Sequence, residues 1–119
     1  VVLVDTSVWI EVFRKGARFQ LESAVATDDV VTCLPVVQEV LQGFRDERAF
    51  ALARDAMLSF PIVESPLRAA RRAGLTVRSD VDCLIAACAI RNGLTLLHRD
   101  RDFDVIARIS SLEVRDIRS

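Results

Sequence analysis

The sequence predicts an α/β fold: three layers, with a short central parallel sheet of about five strands and helices on both faces. Three observations predict it. Short apolar runs of strand character alternate along the whole chain with segments of helical periodicity. The first run, Val1–Asp5, stays apolar up to its closing carboxylate, the pattern of a strand buried on both faces. No repeat, low-complexity tract or Pro/Gly/Ser linker divides the 119 residues, so residues 1–119 are expected to form one domain around one core.

Each element has a local reason. Thr6 is placed to cap a short helix through about Phe13, broken at Lys15-Gly16. A second helix is expected from about Ala17 to Ala26, before Asp28-Asp29 turn into a strand at Val30–Cys33. Pro35 suits the first turn of a helix running to about Phe44. Asp46 starts a helix to about Leu58, followed by a short strand at Pro61–Val63. Ser65-Pro66 opens a helix ending at Gly74, and Val81–Arg91 forms another, stopped by Asn92-Gly93. Leu94–His98 is a strand, Arg101–Ile109 a helix and Leu112–Val114 the last strand.

Composition narrows the classes. The longest apolar runs are about ten residues, against the ~20 needed to cross a bilayer. No basic segment, apolar stretch and small-residue cleavage site opens the chain. Cys33, Cys83 and Cys88 are odd in number, lack a Cys-x-x-Cys pair and sit in apolar segments, where thiols act as small hydrophobes. A reduced, cytoplasmic setting is expected. The net charge of −1 supplies no global field for nucleic acid. Arg68, Arg71 and Arg72 share one helical face, which by default is solvated.

The functional signal is acidic. In a parallel sheet, ligands bind beyond the carboxyl ends of the strands, where the winding reverses. The first strand ends in Asp5; the fourth ends in His98 and runs into Asp100 and Asp102. Glu39 lies at the margin of the apolar arc formed by Val36, Val37, Val40, Leu41 and Phe44, with Gly43 one turn on clearing space beside it. Taken alone, Glu39 is a glutamate on an amphipathic boundary. Asp82 is the sole charge between Val81 and Ile90, in a helix apolar on all sides, with Ala86 and Ala89 on its face. Burying its carboxylate costs several kcal/mol unless a cation compensates. No lysine follows Lys15, and Arg78 and Arg99 can serve one acid each. An all-oxygen set of this kind suits magnesium or manganese, and so metal-assisted phosphodiester chemistry. Thr6 and Ser7 both suit capping, and either one can also orient Asp5. His98 at a strand end reads first as a locally packed side chain, and Asp104 and Asp80 as solvated or capping acids.

With these residues in hand, the chain resembles the PIN-domain family, specifically its VapC toxins. The likeness spans essentially the whole chain and rests on VVLVDTSVWIE, LPVVQEVLQG, VDCLIAACAI and LLHRDRDF, in that order and spacing. The resemblance implies a PIN-like fold and a divalent-metal endoribonuclease acting as the toxin of a type II toxin–antitoxin pair. It puts Asp5, Glu39 and Asp82 on the family's first three acids and Asp100 on the fourth, with Asp102 assisting; which of the last two ranks first stays open. Asp5, Asp82 and Asp100 are then the expected metal ligands, for Mg2+ or Mn2+, and Thr6 or Ser7 the supporting hydroxyl. The resemblance also implies an RNA substrate, a homodimer and a VapB-type antitoxin whose tail blocks the acidic pocket.

Rival enzymes fit less well. An aspartyl phosphatase needs a second acid two residues after the first, where this chain has Ser7, and a late lysine. A phospho-acceptor receiver wants paired acids after the first strand. From another class, a PIN-like docking module without activity is the remaining alternative.

Overall fold

The computed structural model describes residues 1–14, 16, 19–64 and 81–118. The helix expected from Ser65-Pro66 to Gly74 lies outside them, as do Arg68, Arg71, Arg72, Arg78, Ser79 and Asp80.

Five parallel strands form the sheet: β1 (Val2–Val4), β2 (Val30–Cys33), β3 (Ile62–Val63), β4 (Thr95–His98) and β5 (Glu113–Asp116), in the order β3-β2-β1-β4-β5. The chain winds outward from β1 to β3, then crosses back to β4, so its helices cover both faces and the switch point lies between β1 and β4. Burial follows this order. Leu3, Val4, Leu96 and Leu97 of the two central strands are fully buried, and all of β2 is buried. Edge strand β5 alternates exposed and half-buried residues, as a strand with one covered face should.

Among the described residues the helices are α1 (Thr6–Phe13), α2 (Leu34–Gln42), α3 (Glu47–Leu58), α4 (Val81–Arg91) and α5 (Arg101–Arg108). Most signals read in the sequence place them. Pro35 sits in the first turn of α2. Asp46 caps α3 by accepting the Ala49 N–H at 2.8 Å. Gly93, at φ +64°, ends α4 in a conformation that side-chain-bearing residues disfavour. Among the described residues no helix is long and apolar enough to cross a membrane.

Four expectations are corrected. Asp5, not Thr6, caps α1: its carboxylate accepts the Ser7 N–H, which fixes the acid at the mouth of β1. No α-helix forms between Phe19 and Ala26; a single 3₁₀ turn at Leu21–Ser23 stands there, and a second at Thr27–Asp29 leads into β2. In the first turn the Ser23 hydroxyl and N–H both donate to the Gln20 carbonyl, at 2.6 and 3.0 Å, the three-residue spacing of a single 3₁₀ turn. Helix α4 is not buried all round, since Cys83 and Ile90 face outward while Ile85, Ala86, Cys88 and Ala89 enter the core. Cys83 therefore departs from the buried-thiol expectation that Cys33 and Cys88 meet. Gly43 ends α2 at an exposed position, and a side chain there would meet only the Val40 carbonyl oxygen, at 3.4 Å. It borders an apolar pocket of about 280 Å³ with Ile10, Phe13, Val40 and Phe44.

Candidate metal centre

Parallel pairing of Leu3 with Leu96 and Val4 with Leu97 brings the ends of β1 and β4 together, and the Asp5 N–H donates to the Leu97 carbonyl at 2.9 Å. Asp5 thus leaves the sheet at the switch point, 2% exposed. Its Oδ2 accepts from the Ser7 N–H at 2.9 Å and from the Ser7 hydroxyl at 2.5 Å. The Ser7 oxygen in turn accepts the Arg99 N–H at 2.9 Å, tying the end of β4 to the same carboxylate. Of the two candidate hydroxyls, Ser7 touches Asp5; Thr6 Oγ1 is buried without a hydrogen bond.

Asp5 Oδ1 is buried with no hydrogen-bond partner. Desolvation pushes the Asp5 carboxyl above its ordinary value, against the lowering by the Ser7 hydroxyl and N–H; the Glu39 carboxylate adds to the rise. The electrostatic argument first made for Asp82 therefore belongs to Asp5, because Asp82 itself is only half-buried.

Glu39 projects from α2 and Asp82 from the first turn of α4. One carboxylate oxygen from each of Asp5, Glu39 and Asp82 lies within 4.8 Å of the others. A second set with the same spacing joins Asp82 to Asp100 and Asp102. Asp82 belongs to both. The five acids read from the sequence thus form two overlapping triads. Asp100 and Asp102 enter the second triad together, and neither is nearer to being the single fourth acid. Asp100 Oδ1 also caps α5 by accepting the Asp102 N–H at 3.0 Å, which fixes the carboxyl's orientation. Arg99 is not a counter-ion of either triad; it pairs with Glu11 on α1.

An orphaned buried carboxylate oxygen, backed by carboxylates and nothing softer, fits a hard divalent cation. Among the described residues no cysteine sulfur joins either triad, so neither has the thiolate ligands of a structural zinc site.

The PIN-domain family profile matches residues 2–109. Ribonuclease VapC11 of Mycobacterium tuberculosis is 39% identical, with 98% of this chain and 99% of that protein aligned. This chain belongs to the PIN-domain family, in its VapC branch. Ribonuclease VapC51 of the same organism is 32% identical over 91% of this PIN domain and 86% of its own length. The fold agrees as well. The crystal structure of VapBC2 from Rickettsia felis, bound to a promoter DNA fragment, superposes with a TM-score of 0.68 at 17% identity, covering 97% of both chains.

One residue outside the expected site set lies beside this PIN-domain site. His98, read as a strand-end residue with local packing, is fully buried and stacks at a tilt on Phe103, ring centroids 5.4 Å apart. Its Nδ1 accepts the Asp100 N–H at 3.0 Å. Its partners Asp100, Phe103 and Asp104 follow within six residues, so the expected local packing holds, and Asp116 is the neighbour that strand pairing brings in.

Proposed function

We propose that this chain is a divalent-metal-dependent endoribonuclease and the toxin of a type II toxin–antitoxin pair, hydrolysing RNA phosphodiester bonds at the Asp82-centred triads. The observation that carries the reading is the shared carboxylate: Asp5, Glu39 and Asp82 in one set, Asp82, Asp100 and Asp102 in the other. The ribonuclease names of its VapC relatives support the substrate class.

In this reading Asp5, Asp82 and Asp100 hold Mg2+ or Mn2+, with Glu39 and Asp102 completing the sets directly or through water. When bound, such an ion polarises a phosphoryl oxygen and lowers the pKa of an adjacent water. The chain's own residues do the rest. Ser7 fixes one oxygen of Asp5 and leaves the other buried without a hydrogen bond. The caps at Asp5 and Asp100 lock both strand-end acids to helices, so that their positions do not have to be organised at the moment of reaction. Neutralised acids admit an RNA phosphate that the bare cluster would repel.

A VapB-type antitoxin is the partner we assign, supported by the VapBC complexes among the structural relatives. The apolar pocket beside Ile10, Phe13 and Phe44 lies on α1 and α2, the helices that start at Asp5 and carry Glu39, and offers an apolar seat for a segment whose tail covers the acids. The reading also includes a cytoplasmic homodimer.

The test is RNA cleavage by purified protein with Mg2+ or Mn2+, then with excess chelator. Cleavage should vanish in chelator and return on adding metal. Asp5→Asn should lower it by roughly 100-fold or more while the fold is retained. Equal behaviour with metal and with chelator, across several RNAs, would favour the inactive docking module.

A further inference from the structure

We infer that His98 is a positioning residue: its buried imidazole sets the main chain of Asp100, and through it the second carboxylate triad. The inference rests on the metal-site reading above and deepens it.

Beyond β4, the side chains of His98, Asp104 and Asp116 form another close set, with donor atoms within 4.8 Å of one another. The spacing alone would suit an ion. The hydrogen bonds argue otherwise. Because Nδ1 accepts the Asp100 N–H, it carries no proton, and a neutral ring must then hold its proton on Nε2. Nε2 therefore offers no lone pair to a cation. It points instead at Asp104 Oδ1, 3.4 Å away, with no hydrogen-bond partner inside normal geometry. Asp116, paired with His98 across β4 and β5, is engaged by Arg118 through its N–H at 2.8 Å and Nε at 3.0 Å. These carboxylates supply the negative field that an Nε2–H seeks.

The residue is buried and held through both its ring and its main chain. Phe103 packs on it from α5, Ile117 donates its N–H to the His98 carbonyl at 2.9 Å, and the imidazole has no exposure. A rigid acceptor at this place fixes the turn from β4 into α5. That turn bears the Arg99 N–H, which holds Ser7 behind Asp5, and the Asp100 carboxyl, which meets Asp82. One buried ring thus stands behind both triads without belonging to either.

Two isosteres separate the roles of the two nitrogens. An asparagine oxygen can stand where Nδ1 stands; a glutamine reaches toward the Nε2 position and leaves the Asp100 N–H without an acceptor. Mn2+ affinity by calorimetry, RNA cleavage and Tm should be measured for wild type, His98→Asn, His98→Gln and Asp82→Asn. His98→Gln should lose about tenfold in Mn2+ affinity and in cleavage, with His98→Asn within about threefold of wild type. A purely structural histidine would lower Tm in both variants and leave Mn2+ affinity of the folded protein unchanged; that result overturns the proposal. Equal losses of affinity in both variants overturn it too. If His98→Gln does not fold, His98→Leu takes its place, since it fills the buried position and likewise offers the Asp100 N–H no acceptor. It should weaken Mn2+ about tenfold, and unchanged affinity would again overturn the proposal. Asp82→Asn separates the two readings. If it binds Mn2+ like wild type, the metal site falls and takes the His98 proposal with it. If it loses Mn2+ while His98→Gln does not, only the role of His98 is lost.

Discussion

At Asp5, burial and the Glu39 carboxylate act against the hydrogen-bonding influence of the Ser7 hydroxyl and of the Ser7 and Thr6 backbone, and burial wins. The folded protein thus holds the Asp5 proton more tightly than the unfolded chain, whose value is near 3.8. Above that pH the folded state binds more protons than the unfolded state, so this residue lowers stability as pH rises through its raised pKa. In chelator, Asp5→Asn should have a higher Tm than wild type at neutral pH, with the gap closing below about pH 4 where both forms are uncharged. Thermal unfolding across pH checks this; a gap that widens in acid would contradict it. Ser7 and Thr6 give a second test at this scale. Ser7→Ala removes the hydroxyl that orients Asp5 and should cut cleavage by about 10–100-fold. Thr6→Val removes a hydroxyl without a partner and should leave cleavage within about twofold, since nothing bonded is lost. Equal effects in RNA cleavage assays would show that the Ser7 contact does not orient the acid.

Elements were legible where a local residue decides them. Asp46, Pro35 and Asn92-Gly93 mark helix ends through their own side chains or backbone, and α2, α3 and α4 begin or end there. The stretch from Phe19 to Ala26 was not legible. Leu21 and Val25 keep helical spacing and are buried, yet the Ser23 and Ala24 N–H groups bond three residues back and the turn stays 3₁₀. The surroundings of α4 were misread for another reason. Apolar composition shows that a helix can be buried, but which side meets solvent depends on what packs there, and Cys83 and Ile90 look out. That arrangement predicts thiol chemistry. Cys33 is raised by its contact with Cys88 and by burial, and both are shielded in the core. In native protein a thiol reagent should modify Cys83 quickly, with Cys33 and Cys88 reacting only on unfolding. Mass spectrometry of the labelled peptides reads the order; rapid labelling of Cys88 would contradict the packing of α4.

At the scale of the whole molecule, the sheet order assembles the site. Winding outward from β1 and returning to β4 places two strand ends side by side, so acids far apart in sequence share one pocket. Strand ends and a helix start marked Asp5, Asp82, Asp100 and Asp102 locally, whereas Glu39, on an amphipathic boundary, joined them through the family resemblance. The sequence did not show that they form two triads around one residue, since that depends on how α4 crosses the strand ends. The shared residue gives the account its sharpest consequence. Mn2+ titration followed by electron paramagnetic resonance on wild type, Asp5→Asn, Asp100→Asn and Asp82→Asn tests it most directly. Asp82→Asn should weaken binding the most, by more than about tenfold (about 1.4 kcal/mol), with the other two intermediate. Wild-type Mn2+ binding in Asp82→Asn would contradict the account.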